Sequence, residues 1–472
     1  MPRYLRRTKI VATVGPASNS PETIREMILA GMDVARLNFS HGSHQDHART
    51  VATLRAISRE LDTPVTILQD LQGPKIRVGT LPGNEIALHE GEVITLVPAE
   101  EFAGRPATIP IDYAYAAGEA VEGTPVLLAD GLFELKVEST KGNALRARVI
   151  KGGLLASRKG VNFPSLNLRL PSLTPKDEQD VDFGIAQGVD AISLSFVRTR
   201  QDVRTLRERI EAKGTRTPII AKIEKPQGVA NLEEILEAVQ GVMVARGDLG
   251  VEMSPEKVPM LQKHIIEQCN RRGLPVITAT QMLESMIREP RPTRAEASDV
   301  ANAIIDGTDA VMLSGESAVG AYPVQAVETM ARIAAEVESV IEFKSYPPSG
   351  HQEVRGFSEA AKALARAVDA RCVAVYTTTG FTALAIAAER IKAPVIALTT
   401  LTPLYHALNL VWGVRPLLIQ ETPANVEAYA AFAGSLLKHR GVAVAGDKIL
   451  VIGGTPAGVP RSVNFIKVHT VQ

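Results

Sequence analysis

Short apolar runs rich in valine and isoleucine recur along this chain at 9–14, 34–39, 65–71, 191–197, 219–224, 241–245, 275–280 and 310–314, with helix-type patterns between them. Parallel strands need a crossover connection, usually a helix, so regular alternation of this kind points to a parallel sheet rather than a sandwich. About eight such units is the number that closes a (β/α)8 barrel. Helix starts are marked as expected: Ser20 precedes Pro21 as an N-cap, and Thr293 with Glu296 forms a capping box. These polar residues have structural work and carry no chemistry.

The alternation breaks after the third run. Residues 74–170 read instead as hairpins, with a turn at Glu90-Gly91 inside 86–97, a strong turn signal at Asp130-Gly131 and another at Lys141-Gly-Asn143. An all-β unit is therefore inserted in a barrel loop, where it can serve as a lid if it lies at the C-terminal mouth. A linker at 344–350 follows, and the βα pattern restarts with strands near 372–377, 395–399, 417–420, 449–452 and 465–469. A chain of 472 residues exceeds what one core usually supports. The expected division is an α/β barrel from 1–73 and 171–343, an inserted β-barrel lid at 74–170, and a third, α/β unit at 344–472.

Charge excludes some partners. Lys plus Arg and Asp plus Glu both total 52, which leaves no global field for nucleic acid or an anionic membrane, so any phosphate binding must be local. Cys269 and Cys372 stand far apart and outside any C-x-x-C or Cys/His cluster, arguing against a disulfide framework or a zinc site. No apolar run approaches the roughly 20 residues that span a bilayer, and the start of the chain has no signal-peptide pattern. The expectation is a soluble, cytoplasmic protein.

Chemistry gathers at the strand ends. The run 217–224 ends in Lys222 and Glu224, and the run 241–248 ends in Arg246, Gly247 and Asp248. Buried charge is costly, and residues two apart in a strand share a face, so these pairs point one way. Arg36, Asn38 and Ser40 alternate at the end of the second run, and Asp70, Thr278, Thr280, Gln281, Ser314 and Glu316 sit at other ends. Singly, such residues are more often caps or satisfied core groups; His41 alone reads as structural, and Met282 and Met286 as core. Their joint placement at one end favours a site. Glu224 and Asp248 are hard oxygen ligands suited to Mg2+ or Mn2+. Lys222 suits a moving phosphoryl group or an enolate oxygen, and Arg36 offers a planar fork for phosphate. Arg246 reads equally well as the partner of a neighbouring carboxylate or subunit. No Walker A motif occurs, and Gly453-Gly-Thr-Pro-Ala-Gly458 is too weak to indicate a dinucleotide site. A metal-dependent lyase or aldolase would share the carboxylate pair, but would not need the insertion or further phosphate-facing cations. A degenerate, non-enzymatic barrel would be expected to have lost Lys222, Glu224 or Asp248.

The stretches Thr8-Lys-Ile-Val-Ala-Thr-Val-Gly-Pro-Ala-Ser18, Ala35-Arg-Leu-Asn-Phe-Ser-His-Gly42, Ala221-Lys-Ile-Glu224, Met243-Val-Ala-Arg-Gly-Asp-Leu-Gly250, Ala279-Thr-Gln-Met-Leu-Glu-Ser-Met286, Arg291-Pro-Thr-Arg-Ala-Glu296 and Met312-Leu-Ser-Gly-Glu316 resemble the pyruvate kinase family over essentially the whole chain. The resemblance implies a homotetramer of barrel, lid and regulatory domains that transfers phosphoryl from phosphoenolpyruvate to ADP, yielding pyruvate and ATP. It makes Lys222 the charge at the transition state and Arg36 a contact of the transferring phosphate. Glu224 and Asp248 become ligands of Mg2+ or Mn2+. Gly247, Asp248 and Thr280 line the pyruvoyl site, with Thr280 near the face where the enolate is protonated. Asn38, His41, Arg77 and Lys159 become nucleotide-side positions, Lys159 reaching in from the lid.

Two finer expectations follow from the resemblance. Many members hold K+ at positions matching Asn38, Ser40, Asp70 and the carbonyl of Leu71, followed by a Thr-Lys-Gly-Pro-Glu stretch. This chain reads Asp70-Leu-Gln-Gly-Pro-Lys75, so the Lys75 ammonium stands where the family glutamate would be, and K+ is expected not to be required. In the C-terminal unit, Thr377, Thr378, Thr379, Gly380 and Thr382 match a loop that takes the phosphate of an effector, so activation by a phosphorylated small molecule is expected. A helix cap plus turn accounts for that loop equally well.

Overall fold

The computed structural model describes residues 6–164, 166, 168–347, 352–455 and 463–472; the end of the 344–350 linker and the second half of the glycine-rich 453–458 run lie outside them. Strands Lys9–Thr13, Val34–Asn38, Thr66–Asp70, Ala191–Leu194, Ile219–Ile223, Gly241–Ala245, Val276–Ala279 and Ala310–Leu313 form a closed parallel barrel in sequence order. Lys9 registers with Ala310 and Val11 with Val34, which closes the ring. Every barrel strand except the sixth is shorter than its apolar run. Residues such as Phe39, Glu224 and Thr280 leave the ladder at the C-terminal mouth, where a site can use them. Both helix-start readings hold: Ser20 accepts from the Thr23 amide, and Thr293 and Glu296 cap each other.

Inside the barrel, Val11, Val34, Leu68, Ile220, Met243 and Ile277 form one apolar layer, and Leu410 of the C-terminal unit joins it from the N-terminal face. That face is closed by buried charge. Asp33 accepts from Arg6 Nη2 at 2.8 Å and Arg415 Nη1 at 2.6 Å, while Glu338 accepts from the amides of Arg7 and Thr8. Such pairs cost desolvation and hold only when fully partnered, so this face serves anchorage rather than chemistry.

His406 lies buried in the same contact. Its carbonyl accepts from Thr66 Oγ1 at 2.6 Å, and burial, with Arg55 beside it, lowers its pKa from the ordinary 6.5 to about 4. The neutral ring is thus the folded form, so its contribution is complete above pH 6.5 and lost as pH falls towards 4. Acidifying from pH 7 to 5 should cost roughly 2 kcal/mol through this group, and His406→Asn should flatten that slope in urea midpoints.

The inserted unit has its own core, including Leu96, Val126, Leu135 and Leu145. Its main sheet runs Val161–Asn162, Pro125–Leu128, Phe133–Lys141, Ala144–Lys151, Val93–Pro98, Thr108–Ile111. The turns at Asp130-Gly131 and 141–143 join antiparallel neighbours as read. Residues 86–97 are not a hairpin. Val93–Pro98 has both edges taken, by Ala144–Lys151 and, in parallel, by Thr108–Ile111, so Glu85–Leu88 pairs instead with Gly153–Ala156.

The C-terminal sheet runs Val414–Leu418, Val395–Thr399, Val373–Tyr376, Lys448–Gly453, Phe465–Thr470, the last antiparallel. The strand expected at 417–420 starts earlier, at Val414. It carries Pro416, which an edge strand tolerates. Both cysteines are free and buried. Among the described residues no helix is long and apolar enough to cross a membrane.

Candidate active site

Lys222 leaves the fifth strand into a ring of acceptors. Its Nζ donates to Ser195 Oγ at 2.8 Å and lies 2.9 Å from Glu224 Oε1 and 3.4 Å from Asp70 Oδ1. Burial opposes the ammonium, but Asp70 and Glu224 outweigh it and raise the pKa, so Lys222 stays charged. Asp70 is itself buried. It accepts from Arg36 Nε at 2.7 Å and Ser193 Oγ at 2.8 Å, and although burial acts to raise its pKa, Lys222 and Arg36 lower it overall. Arg36 is thereby aimed across the mouth, with Nη1 also on Thr13 Oγ1 at 2.9 Å.

Glu224 is fully buried, and its Oε2 accepts from the Phe196 amide at 2.7 Å. Its Oε1 faces the Lys222 ammonium at 2.9 Å and meets no other described hydrogen-bond partner. Burial raises the Glu224 pKa, Lys222 opposes that, and Asp248 adds to it. A buried carboxylate oxygen with a single cationic neighbour keeps a lone pair open, and a second carboxylate, Asp248, faces the same space with its side chain 32% exposed. Two hard oxygen donors with open positions fit Mg2+ or Mn2+, which keep water and substrate ligands. Among the described residues no group of three or more His, Cys, Asp or Glu is placed to hold a metal, so further ligands would come from outside the protein.

Asp248 and Gly247 lie in the first turn of helix Arg246–Glu252, which follows the sixth strand directly. The Gly247 amide donates to Thr280 Oγ1 at 2.7 Å, and that hydroxyl donates to the Ala279 carbonyl at 2.6 Å. Thr280 and Gln281 have φ of 70° and 54°; a β-branched residue at positive φ is a strained outlier, held here by its neighbours. Arg246 is a structural clamp on this turn, donating to Asp299 and the Thr280 carbonyl, each at 2.7 Å. Thr278 bonds Thr308, Glu316 accepts from the amides of Leu283 and Ser314, and Met282 and Met286 are buried; none of these reaches the mouth.

At the root of the insertion, Arg77 bridges to Gly160 and the Val78 amide donates to the Lys159 carbonyl, so Arg77 and Lys159 sit on adjacent chains. His41 is exposed, its carbonyl accepting from His47 Nε2 at 2.9 Å. Lys75 Nζ lies 3.9 Å from Asp248 Oδ1 and 3.5 Å from Asp130 Oδ1. Asn38 Oδ1 accepts from the Ser40 amide, and the Leu71 carbonyl accepts from Ser195 Oγ at 2.7 Å. In the C-terminal loop, Thr377 Oγ1 accepts from the Gly380 amide at 2.8 Å and Thr379 Oγ1 from the Phe381 amide, with Thr378 half-buried and Thr382 buried. Two amides of that loop are therefore already used internally.

Sequence reasoning passed over Ser193, Ser195 and Phe196. The two serines alternate at the end of the fourth strand, the same signal that marked Arg36 and Asn38. Phe196, at φ 56°, turns its amide onto Glu224, a geometry no spacing reveals.

Two family models match the chain: "Pyruvate kinase, barrel domain" over residues 5–327 and "Pyruvate kinase, alpha/beta domain" over 356–469. The chain belongs to the pyruvate kinase family. Relatives agree with the models. It is 45% identical to pyruvate kinase 2 of Synechocystis sp., with 99% of this chain and 80% of the relative covered. It is 44% identical to a pyruvate kinase of Geobacillus stearothermophilus, over 99% of this chain and 81% of that one. As a member of this family the chain is a phosphotransferase enzyme, with the divalent-metal need that pyruvate kinases imply.

Proposed function

We propose that this mouth transfers a phosphoryl group from phosphoenolpyruvate to ADP. The observation that carries the reading is Lys222, a buried ammonium held by Asp70 and Glu224 at a mouth where Asp248 adds a second carboxylate. A β-phosphate oxygen of ADP attacks phosphorus, the bond to the enol oxygen breaks, and the pyruvate enolate takes a proton at C3. Lys222 and Arg36 meet the charge on the transferring group, already oriented before the substrate arrives. Glu224 and Asp248 would hold the divalent cation, which when bound supplies Lewis-acid charge to substrate oxygens. Gly247, Asp248 and Thr280 line the pyruvoyl side, with the Thr280 hydroxyl and water near C3. Asn38, His41, Arg77 and Lys159 face the nucleotide, and 74–170 acts as a lid that keeps water from competing with ADP. The barrel, lid and 344–472 regulatory units assemble as a cytoplasmic homotetramer in this reading.

K+ is not required in this reading. Asp70, Asn38 and the Leu71 carbonyl already accept protein hydrogen bonds, and the Lys75 ammonium lies beside Asp248. Activity in monovalent-free Tris buffer should change little on adding KCl; a several-fold rise would reject the reading. Lys75→Glu, with the two neighbouring swaps at Leu71 and Gln72, should create K+ dependence.

The loop of Thr377, Thr378, Thr379, Gly380 and Thr382 takes the phosphate of an activating metabolite, because the accepting hydroxyls of Thr377 and Thr379 keep their own protons free to donate. Thr378→Glu should abolish the response to a sugar phosphate or nucleotide that activates the parent enzyme, while an unchanged activation curve would refute the site.

A further inference from the structure

Strand Val161–Asn162 lies two residues beyond Lys159 and pairs with Pro125–Leu128 in the lid. Asn162 is buried, and its Nδ2 donates to Glu252 Oε1 at 2.6 Å. Glu252 ends the helix whose first turn carries Gly247 and Asp248, and its side chain is 1% exposed. The same carboxylate oxygen pairs with Lys225, the residue after Glu224. Lys225 in turn lies 5.6 Å over the Phe196 ring, whose amide holds Glu224 Oε2. One lid amide thus reaches, through one buried carboxylate, the elements that carry both candidate metal ligands.

Directional polar contacts also tie the lid root to the barrel. A small cavity of about 30 Å³ lies there, lined by Pro74, Asn162, Phe163, Leu168, Phe196 and Lys225 among others. Apolar packing alone leaves a hinge free to slide, and directional polar contacts fix its angle. Several lie here among the described residues, including one from Gln227 Nε2 to the Leu166 carbonyl at 3.4 Å. Arg198 donates to the carbonyls of Leu168 and Leu170, at 2.8 and 2.7 Å, and anchors the chain where it returns to the barrel. The bond from Asn162 to Glu252 lies on the lid side of that anchor and limits rotation about it.

We propose that Asn162 and Glu252 form a latch that sets the closed angle of the lid, so that Asn162 is a positioning residue for Lys159. The proposal rests on the reading of Lys159 as a nucleotide contact. With the latch removed, the lid spends less time closed, and apparent affinity for ADP falls by the lost fraction.

The test is Asn162→Ala in the full chain. KM for ADP should rise about tenfold, corresponding to ~1.4 kcal/mol and near the low end for a hydrogen bond to a charged group, while KM for phosphoenolpyruvate changes little. Asn162→Asp keeps the shape, sets two carboxylates against each other and should do the same, which guards against a folding failure of the alanine variant. Glu252→Gln retains an acceptor and should retain most of the ADP affinity. In a Lys159→Ala background the loss from Asn162→Ala should largely vanish. Equal rises in both KM values, or an undiminished loss in that background, would overturn the latch. If Lys159→Ala alone leaves KM for ADP unchanged, it is the nucleotide reading of Lys159 that fails. The latch is then decided by hydrogen exchange at 76–78 and 159–162, where faster exchange in Asn162→Ala supports it and unchanged protection rejects it.

Discussion

Lys222→Met should lower kcat by about 1000-fold while KM for phosphoenolpyruvate moves far less. The physical reason is the position of the charge. The ammonium is desolvated and fixed by Asp70, Glu224 and Ser195, so it needs no reorganisation when negative charge builds on the transferring group and the enolate oxygen. Methionine keeps the length of the side chain and removes only the charge and its donors. Folding should survive, because Asp70 retains Arg36 and Ser193 as partners. Steady-state kinetics at saturating Mg2+ read the effect. A fall of only a few-fold would mean that Lys222 is a strut for the two carboxylates rather than part of the chemistry.

Glu224→Gln should raise the Mg2+ or Mn2+ concentration needed for half-maximal activity by on the order of 100-fold or more, since even outer-shell partners of metal ligands are worth 10–100-fold. The metal-free protein should respond in the opposite sense. Burial already penalises the Glu224 carboxylate, with Asp248 adding to that penalty, so a neutral isostere should leave the melting temperature unchanged or raise it. Mn2+ titration followed by electron paramagnetic resonance, alongside thermal melts without metal, separates the two effects. Equal metal affinity in the two proteins would remove Glu224 from the ligand set.

The barrel was legible because period and length agree: eight apolar runs with helices between them leave few alternatives, and all eight strands form. Lys222, Glu224, Arg36 and Asp70 were legible for a related reason. A charge written at the end of a core strand must find a use, and strand ends in this fold share one mouth. Ser193 and Ser195 obey the same rule and were passed over because a serine in a strand has many harmless explanations. The positive φ at Phe196 and Thr280, and the contact from Asn162 to Glu252, depend on how loops close in space and have no signature in spacing. Residues 86–97 misled because a turn signal marks where the chain reverses, not which strand becomes its neighbour. The strand Val414–Leu418 carries Pro416, whose penalty applies to central strands and not to the edge position it occupies.

The central claim is tested most directly by following pyruvate and ATP together, from phosphoenolpyruvate and Mg2+, with and without ADP. Phosphoryl transfer at this mouth predicts equal amounts of pyruvate and ATP when ADP is present, and almost no pyruvate without it. Pyruvate released at a similar rate without ADP, accompanied by inorganic phosphate, would contradict it.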